Sequence, residues 1–236
     1  MMNAAFGELG LDWRYVTLPV PGHLFAETVR ALEASGYRGS NVTIPHKVAA
    51  HRLADELTAG AAEIGAVNTL ELDQGRILGE NTDAGGLIDA LDTDPRGQRA
   101  LVLGAGGTGR AAVWALREAG AEVAIWNRTP ERAAELAREF GVGHAERIEP
   151  AEILVNVTSL GLRGEDVPAE LGLGSLEPEL VVDAVYGEDP TALCRWAEAR
   201  GARVIEGREL LVRQGARSFE RWTGQPAPVD AMRRAV

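Results

Sequence analysis

Cysteine is almost missing from this 236-residue chain, where Cys194 stands alone. A lone thiol excludes an internal disulfide framework and a Cys-rich zinc site, so no metal is expected, and the usage fits a reducing compartment such as the cytoplasm. Excess positive charge is missing too. The formal net charge is -11, against the clustered Lys and Arg that a nucleic-acid surface needs. No apolar run reaches the ~18 residues of a membrane span. The opening Met1-Met2-Asn3-Ala4-Ala5-Phe6 lacks the basic stretch and apolar core of a secretory signal. Neither nucleic acid nor a membrane is therefore an expected partner; the expectation is a small-molecule substrate and a monomer or homodimer. Lysine is the sharpest shortage: Lys and Arg total 24, and only Lys47 is a lysine. A chain that uses Arg almost everywhere has kept one ammonium, a group that releases its proton far more readily than a guanidinium.

What is present supports packed cores. The chain is 45% hydrophobic and 25% charged, which excludes disordered and fibrous classes, and its length allows one large domain or two small ones. Residues 13–19 read as a strand and residues 22–35 as a helix ended by Gly36. Residues 39–45 form a strand stopped by Pro45, and residues 48–57 a helix. Residues 66–72 and 77–79 make a hairpin turned at Asp73-Gln74-Gly75-Arg76. A helix follows Asn81-Thr82-Asp83, and residues 92–97 are a turn-rich linker. Beyond it, apolar strands at 100–103, 122–126, 153–156, 180–184 and 202–205 alternate with helices at 108–119, 130–140 and 191–200. That alternation indicates an α/β fold with a parallel sheet covered on both faces. Residues 210–222 form one amphipathic helix, which caps the second domain or crosses back to the first. The tail after Gly224 reads as loose.

The run Gly104-Ala105-Gly106-Gly107-Thr108-Gly109 places GxGxxG directly after a strand and at the start of a helix. The first glycine permits the tight turn, the second lets backbone approach a pyrophosphate, and Gly109 allows close helix–strand packing. One strand later, where an NAD site usually carries an acid for the ribose hydroxyl, the text reads Asn127-Arg128-Thr129, with Arg132 one turn on. No acid repels a phosphate there and two guanidinium groups are at hand, so NADP is favoured over NAD.

In the first domain, Asn41, Thr43, Lys47, Asn68 and Asp83 sit at strand ends or just past them. Asn41 and Thr43, two apart in a strand, share a face. Lys47 and Asp83 meet only if the fold brings them together. Asn68 and Asp83 also suit turns and helix caps.

Taken in order, Asn41-Val42-Thr43-Ile44-Pro45-His46-Lys47, Gly65-Ala66-Val67-Asn68-Thr69, Gly79-Glu80-Asn81-Thr82-Asp83, the Gly104 loop and Asn127-Arg128-Thr129 resemble the shikimate dehydrogenase family. The likeness continues through Asn156-Val157-Thr158-Ser159-Leu160-Gly161, Asp183-Ala184-Val185-Tyr186 and Gln214-Gly215-Ala216, and spans nearly the whole chain. It implies a two-domain enzyme that reversibly reduces 3-dehydroshikimate to shikimate with NADPH in aromatic biosynthesis, its active site in the groove between domains. It assigns residues 1–92 to the substrate domain, 97–206 to a Rossmann-like NADP domain, and 207–236 to a segment returning to the substrate domain. Lys47 and Asp83 are implied as the catalytic pair; Thr43, Asn68 and Gln214 would hold ring hydroxyls, with Tyr186 near the substrate carboxylate. The family pattern opens with a strand and a Ser-x-Ser-Pro segment before a His-Asn pair. Asn3 matches that Asn and Met2 stands at the His, so the strand and both serines have no counterpart here. The expectation that follows is a start set further upstream, or a truncated NADP-binding relative with weakened catalysis. A quinate/shikimate enzyme is the neighbouring alternative.

Overall fold

Residues 1–236 are described by a computed structural model that divides the chain between two units, Met1–Gly86 with Leu211–Val236, and Leu87–Leu210.

In the first unit, helix α1 (Met2–Glu8) buries Met2, Ala5 and Phe6. Residues 13–19, expected as a strand, run instead as irregular chain. They join no strand ladder, and the carboxamide of Asn3 takes the place of a ladder partner. Its Oδ1 accepts the Tyr15 N–H at 2.7 Å and its Nδ2 donates to the Tyr15 carbonyl at 2.9 Å. Trp13 and Tyr15 still pack inward, which accounts for their alternating pattern. Helix α2 (Phe25–Leu32) sits between two 3₁₀ turns and ends at Gly36, φ 87°. Strand β1 (Gly39–Asn41) stops earlier than the proline suggested, and helix α3 (Lys47–Leu53) is followed by a short strand, β2 (Glu56–Leu57), where a continuous helix was expected. Helix α4 (Ala59–Ile64), unforeseen, is capped by Thr58 Oγ1, which accepts the Ala61 N–H. Strands β3 (Thr69–Asp73) and β4 (Arg76–Glu80) form the expected hairpin, turned by Gln74 (φ 51°) and Gly75 (φ 76°). Two positive φ values in a two-residue loop match the right-handed twist of the strands. The sheet order is β1-β3-β4-β2, with Phe25, Val29, Leu32, Leu70, Leu72 and Ile77 packed in one core. Helix α5 (Thr82–Leu91) follows.

The second unit alternates strictly. Strand β5 (Arg99–Leu103) leads to α6 (Gly107–Glu118), β6 (Glu122–Trp126) to α7 (Pro130–Phe140), and a two-residue β7 (Gly143–His144) follows. Then come β8 (Ile153–Asn156), α8 (Val167–Glu170), β9 (Leu180–Asp183), α9 (Ala192–Glu198) and β10 (Arg203–Glu206). The six strands lie in the order β10-β9-β8-β5-β6-β7, every pair parallel. One more strand is present than expected, because β7 has only two residues and no apolar pattern of its own. Counted from β5, the order is the doubly wound dinucleotide arrangement, with its switch point between β5 and β8.

Helix α10 (Gly207–Thr223) lies in the first unit from Leu211 onward, as does α11 (Val229–Arg234). The tail expected to be loose is therefore ordered. Met232 is fully buried in a cluster with Met2, Phe6, Val212 and Phe219, and burying such side chains outweighs the composition of the flanking residues.

A surface contact in the second unit gives a pH test. Glu152 accepts the Arg99 N–H at 2.8 Å and pairs with its guanidinium, which holds its carboxyl at about 2 against an ordinary 4.5. A lowered folded-state value stabilises the fold above pH 4.5, and that contribution is lost as pH falls towards 2. In Glu152→Gln the melting temperature is expected to fall less steeply over this window than in the parent. Identical slopes in thermal melts would refute the linkage.

Candidate active site

The first unit's site is assembled at the ends of its strands. Asn68 precedes β3 and is gripped on both sides: its carbonyl accepts the Val42 N–H at 2.7 Å and its N–H donates to the Glu80 carbonyl at 3.1 Å. Lys47 opens α3, and its carbonyl accepts the Val67 N–H at 2.9 Å. Asp83 lies in the first turn of α5, where a carboxylate suits the positive end of a helix. These three backbones bring three side chains together. Lys47 Nζ donates to Asp83 Oδ2 at 2.5 Å, and Asn68 Nδ2 donates to Asp83 Oδ1 at 2.8 Å. The Lys47 and Asp83 side chains are only 11% and 14% exposed.

Of the two residues that suit caps, Asn68 serves as one, whereas the Asp83 carboxylate oxygens take Lys47 Nζ and Asn68 Nδ2. Asn81 Oδ1 accepts the Ala84 N–H at 3.2 Å, and Asn68 Oδ1 accepts the Thr82 N–H at 2.7 Å, so both cap α5. That bond also identifies which end of the Asn68 amide is oxygen. Its NH₂ group then faces Asp83, Thr82 Oγ1 at 3.0 Å and Gln214, whose Oε1 lies at 3.2 Å. Gln214 reaches the site because Gly86 carries no side chain. A Cβ there would stand 2.7 Å from the Gln214 backbone nitrogen, so only glycine lets α10 approach α5 this closely.

A polar layer that the sequence reasoning missed lies behind these groups. Ser218, fully buried, is bonded to Asn41 Nδ2 at 2.8 Å, Thr69 Oγ1 at 2.8 Å and Thr82 Oγ1 at 3.2 Å. The Tyr15 hydroxyl donates to Asn41 Oδ1 at 3.1 Å, and burial pushes that hydroxyl up, keeping it a donor. The available signal was helical spacing, since Ser218 falls one turn after Gln214 on the same face. Thr43 is a correction. Strand β1 ends at Asn41, so Thr43 lies in a turn, where its carbonyl accepts the His46 N–H at 2.9 Å, and its side chain is exposed rather than paired with Asn41 on one strand face.

The second unit holds the Gly-rich turn at the C-terminal end of β5. Gly104 has φ 117°, and a Cβ on Gly109 would fall 2.1 Å from the Gly104 carbonyl oxygen. Gly106 is extended and a Cβ there would meet nothing within 4 Å, which leaves open space before the first N–H groups of α6, at Gly107, Thr108 and Gly109. Open space, glycine backbone and a helix N-terminus fit a pyrophosphate. The Ala105 N–H donates to Asn127 Oδ1 at 3.3 Å, and Asn127 Nδ2 donates to the Thr129 carbonyl at 2.9 Å, tying the turn after β6 to this loop. Arg128, Thr129 and Arg132 are exposed. At the end of β9 the Asp183 carboxylate accepts from Thr191 Oγ1 at 2.6 Å and Asn156 Nδ2 at 2.8 Å. Burial pushes the Asp183 carboxyl up. Tyr186 follows β9 with its residue 49% exposed. A cavity of about 440 Å³ opens at the opposite end of the strands, lined by Arg99, Glu122 and Gly143. Ligands of such sheets bind at the carboxyl ends of the strands, so it lies away from the chemistry.

Three family models match the chain: the shikimate dehydrogenase substrate binding domain over residues 1–70, shikimate/quinate 5-dehydrogenase over residues 89–159, and the shikimate 5'-dehydrogenase C-terminal domain over residues 207–236. The shikimate dehydrogenase (NADP(+)) of Anaeromyxobacter dehalogenans is 42% identical over 258 residues, covering 100% of this chain and 89% of that protein. The shikimate 5-dehydrogenase of Thermus thermophilus, solved with NADP(H) and shikimate, superposes with a TM-score of 0.89 at 40% identity, covering 99% of this chain and 91% of that one. A 5-ketofructose reductase of Gluconobacter has a TM-score of 0.86 at 31% identity, covering 98% of this chain and 90% of that one. The doubly wound parallel sheet and these relatives define a dinucleotide-dependent oxidoreductase with a substrate-binding domain. The chain belongs to the shikimate dehydrogenase family.

Proposed function

We propose that the protein reversibly reduces 3-dehydroshikimate to shikimate with NADPH. The observation that carries this reading is the 2.5 Å contact between Lys47 Nζ and Asp83 Oδ2 in a part-buried setting. NADPH, when bound, supplies the hydride to the carbonyl carbon. Lys47 delivers the proton to the carbonyl oxygen, where negative charge grows, and Asp83 orients the ammonium and an adjacent hydroxyl. Asn68, Gln214 and Thr43 hold ring hydroxyls, and Tyr186 lies by the substrate carboxylate. Gly104, Ala105, Gly106, Gly107, Thr108 and Gly109 cradle the pyrophosphate, while Asn127, Arg128, Thr129 and Arg132 hold the ribose phosphate. No helix is long and apolar enough to cross a membrane. We place the enzyme in the cytoplasm, a reading supported by its single, buried thiol, and take it to be a monomer or homodimer.

The test is direct. Purified protein with NADPH and 3-dehydroshikimate should lose nicotinamide absorbance as shikimate forms, and turnover of quinate alone would reject the reading. Arg128→Ala should weaken NADP binding by ~1.5–3 kcal/mol, the worth of a hydrogen bond to a charged group, and leave NAD binding little changed. Equal Kd values for NADP and NAD in the parent would refute the phosphate assignment.

A further inference from the structure

Behind the Lys47–Asp83 pair the first unit carries a continuous run of buried and part-buried polar side chains. It begins at the Tyr15 hydroxyl and passes through Asn41 to Ser218. From Ser218 it branches to Thr69 and Thr82, which lie 3.1 Å apart, and both reach Asn68. Asn68 then closes on Asp83. Ser218, Thr69, Thr82 and Asn68 are all buried, so none turns to bulk solvent when a partner is lost. A cluster tied at this many points inside one helix–sheet contact does more than fill space.

A proton inventory shows what Ser218 contributes. A serine hydroxyl has one proton to give and two lone pairs to receive. Ser218 Oγ lies 3.1 Å from the Gln214 carbonyl one turn earlier, an acceptor only, so its proton goes there. Its lone pairs are left for Asn41 Nδ2 at 2.8 Å and Thr69 Oγ1 at 2.8 Å, both donating. With Ser218 in this state, the Thr82 hydroxyl proton turns to Asn68 Oδ1 at 3.2 Å, beside the Thr82 N–H that the same oxygen accepts. Asn68 Oδ1 is thereby saturated, and the Asn68 NH₂ is left to donate to Asp83 Oδ1 at 2.8 Å, with Thr82 Oγ1 at 3.0 Å and Gln214 Oε1 at 3.2 Å as its other acceptors. Gln214 Nε2 spends one proton on the Leu211 carbonyl at 3.0 Å and keeps a second.

We propose that Ser218 is a positioning residue: through Thr69 and Thr82 it locks the Asn68 carboxamide with its NH₂ on Asp83, and it seats Gln214 so that one Nε2 proton points to a polyhydroxylated ring. This rests on the reading that Asn68 and Gln214 bind substrate hydroxyls. Ser218 touches no substrate. Removing its hydroxyl frees the buried Asn68 amide to flip or tilt, which weakens substrate binding and loosens the pair that moves the proton.

The experiment uses the full chain. In Ser218→Ala, kcat/KM for 3-dehydroshikimate should fall ~10- to 100-fold, the range for losing one buried hydrogen-bond partner. Most of the loss should appear in KM, with the Kd for NADP unchanged. The decisive measurement is a double-mutant cycle. If Ser218 acts through Asn68, Ser218→Ala adds little to the loss already caused by Asn68→Ala. Fully additive losses, or a parental KM in Ser218→Ala, overturn the proposal. Ser218→Cys, which preserves volume and weakens the acceptor, should move KM in the same direction and answers the question if the alanine variant does not fold. Absence of turnover in the parent would instead reject the dehydrogenase reading. The Asn68 side-chain NH₂ signal in NMR then reads the positioning role by itself: ordered and slowly exchanging in the parent, mobile in Ser218→Cys. Equal order in both would overturn it without any assay of activity.

Discussion

Lys47→Ala is expected to lower kcat by ~10²–10⁴, the usual contribution of a positioned proton donor, with a smaller change in substrate KM. The ammonium sits 2.5 Å from Asp83 Oδ2 and its side chain is 11% exposed, so few waters are placed to replace it. Lys47→Arg should restore little of the rate, because a guanidinium keeps its proton and spreads its charge over a planar fork too large for a point contact. Steady-state kinetics of the two variants separate the roles. Should the arginine variant approach the parental kcat, Lys47 acts as a fixed charge, and the proton comes from another group. Removing the ammonium also leaves Asp83 beside Asn68 without its counter-charge, so a lower melting temperature should accompany the rate loss.

Gly109→Ala is expected to be the most damaging single methyl group in the second unit. An added Cβ would stand 2.1 Å from the Gly104 carbonyl oxygen and 2.9 Å from its carbon. Both are backbone atoms, so no flexible side chain can move aside. Either the turn after β5 opens or α6 shifts on the sheet. Overpacking of this kind costs ~1–3 kcal/mol of stability, and NADP affinity should fall at least ~10²-fold because the displaced N–H groups are those at the start of the helix. Gly106→Ala is the control, since a Cβ there meets nothing within 4 Å. It should leave stability nearly unchanged and affect only the bound cofactor. Calorimetric NADP titration and thermal melts of both variants check the contrast, and equal behaviour would refute the packing argument.

The second unit was legible strand by strand because each of its signals is local. Apolar runs such as Ala100-Leu101-Val102-Leu103 are buried on both faces, and the helix from Pro130 to Phe140 begins on proline and ends at a left-handed Gly141. The first unit was less legible. Trp13 and Tyr15 alternate like a strand, yet a single side chain, Asn3, satisfies the Tyr15 backbone instead of a neighbouring strand. The expected helix over residues 48–57 divides at Ala54 because Glu56 and Leu57 pair with Leu78 and Gly79, an attraction invisible at that distance along the chain. The tail looked loose by composition, but Met232 finds its cavity against α1 at the other end of the sequence.

The same division separates the candidate residues. Sequence by itself determined the Gly-rich turn after β5, since glycines, strand and helix are neighbours and the turn's geometry follows from backbone sterics alone. It also singled out Lys47, through the scarcity of lysine elsewhere. Only the tertiary structure decided that Lys47 meets Asp83, that Asn68 serves both as a cap for α5 and as a partner of Asp83, and that Thr43 does not share a strand face with Asn41. It alone revealed Ser218 at the centre of a buried polar layer. Those outcomes depend on α10 lying close against α5 across Gly86, a contact between segments well over a hundred residues apart. No local propensity encodes such a contact, because its free energy comes from desolvating and pairing groups that the unfolded chain holds far from one another.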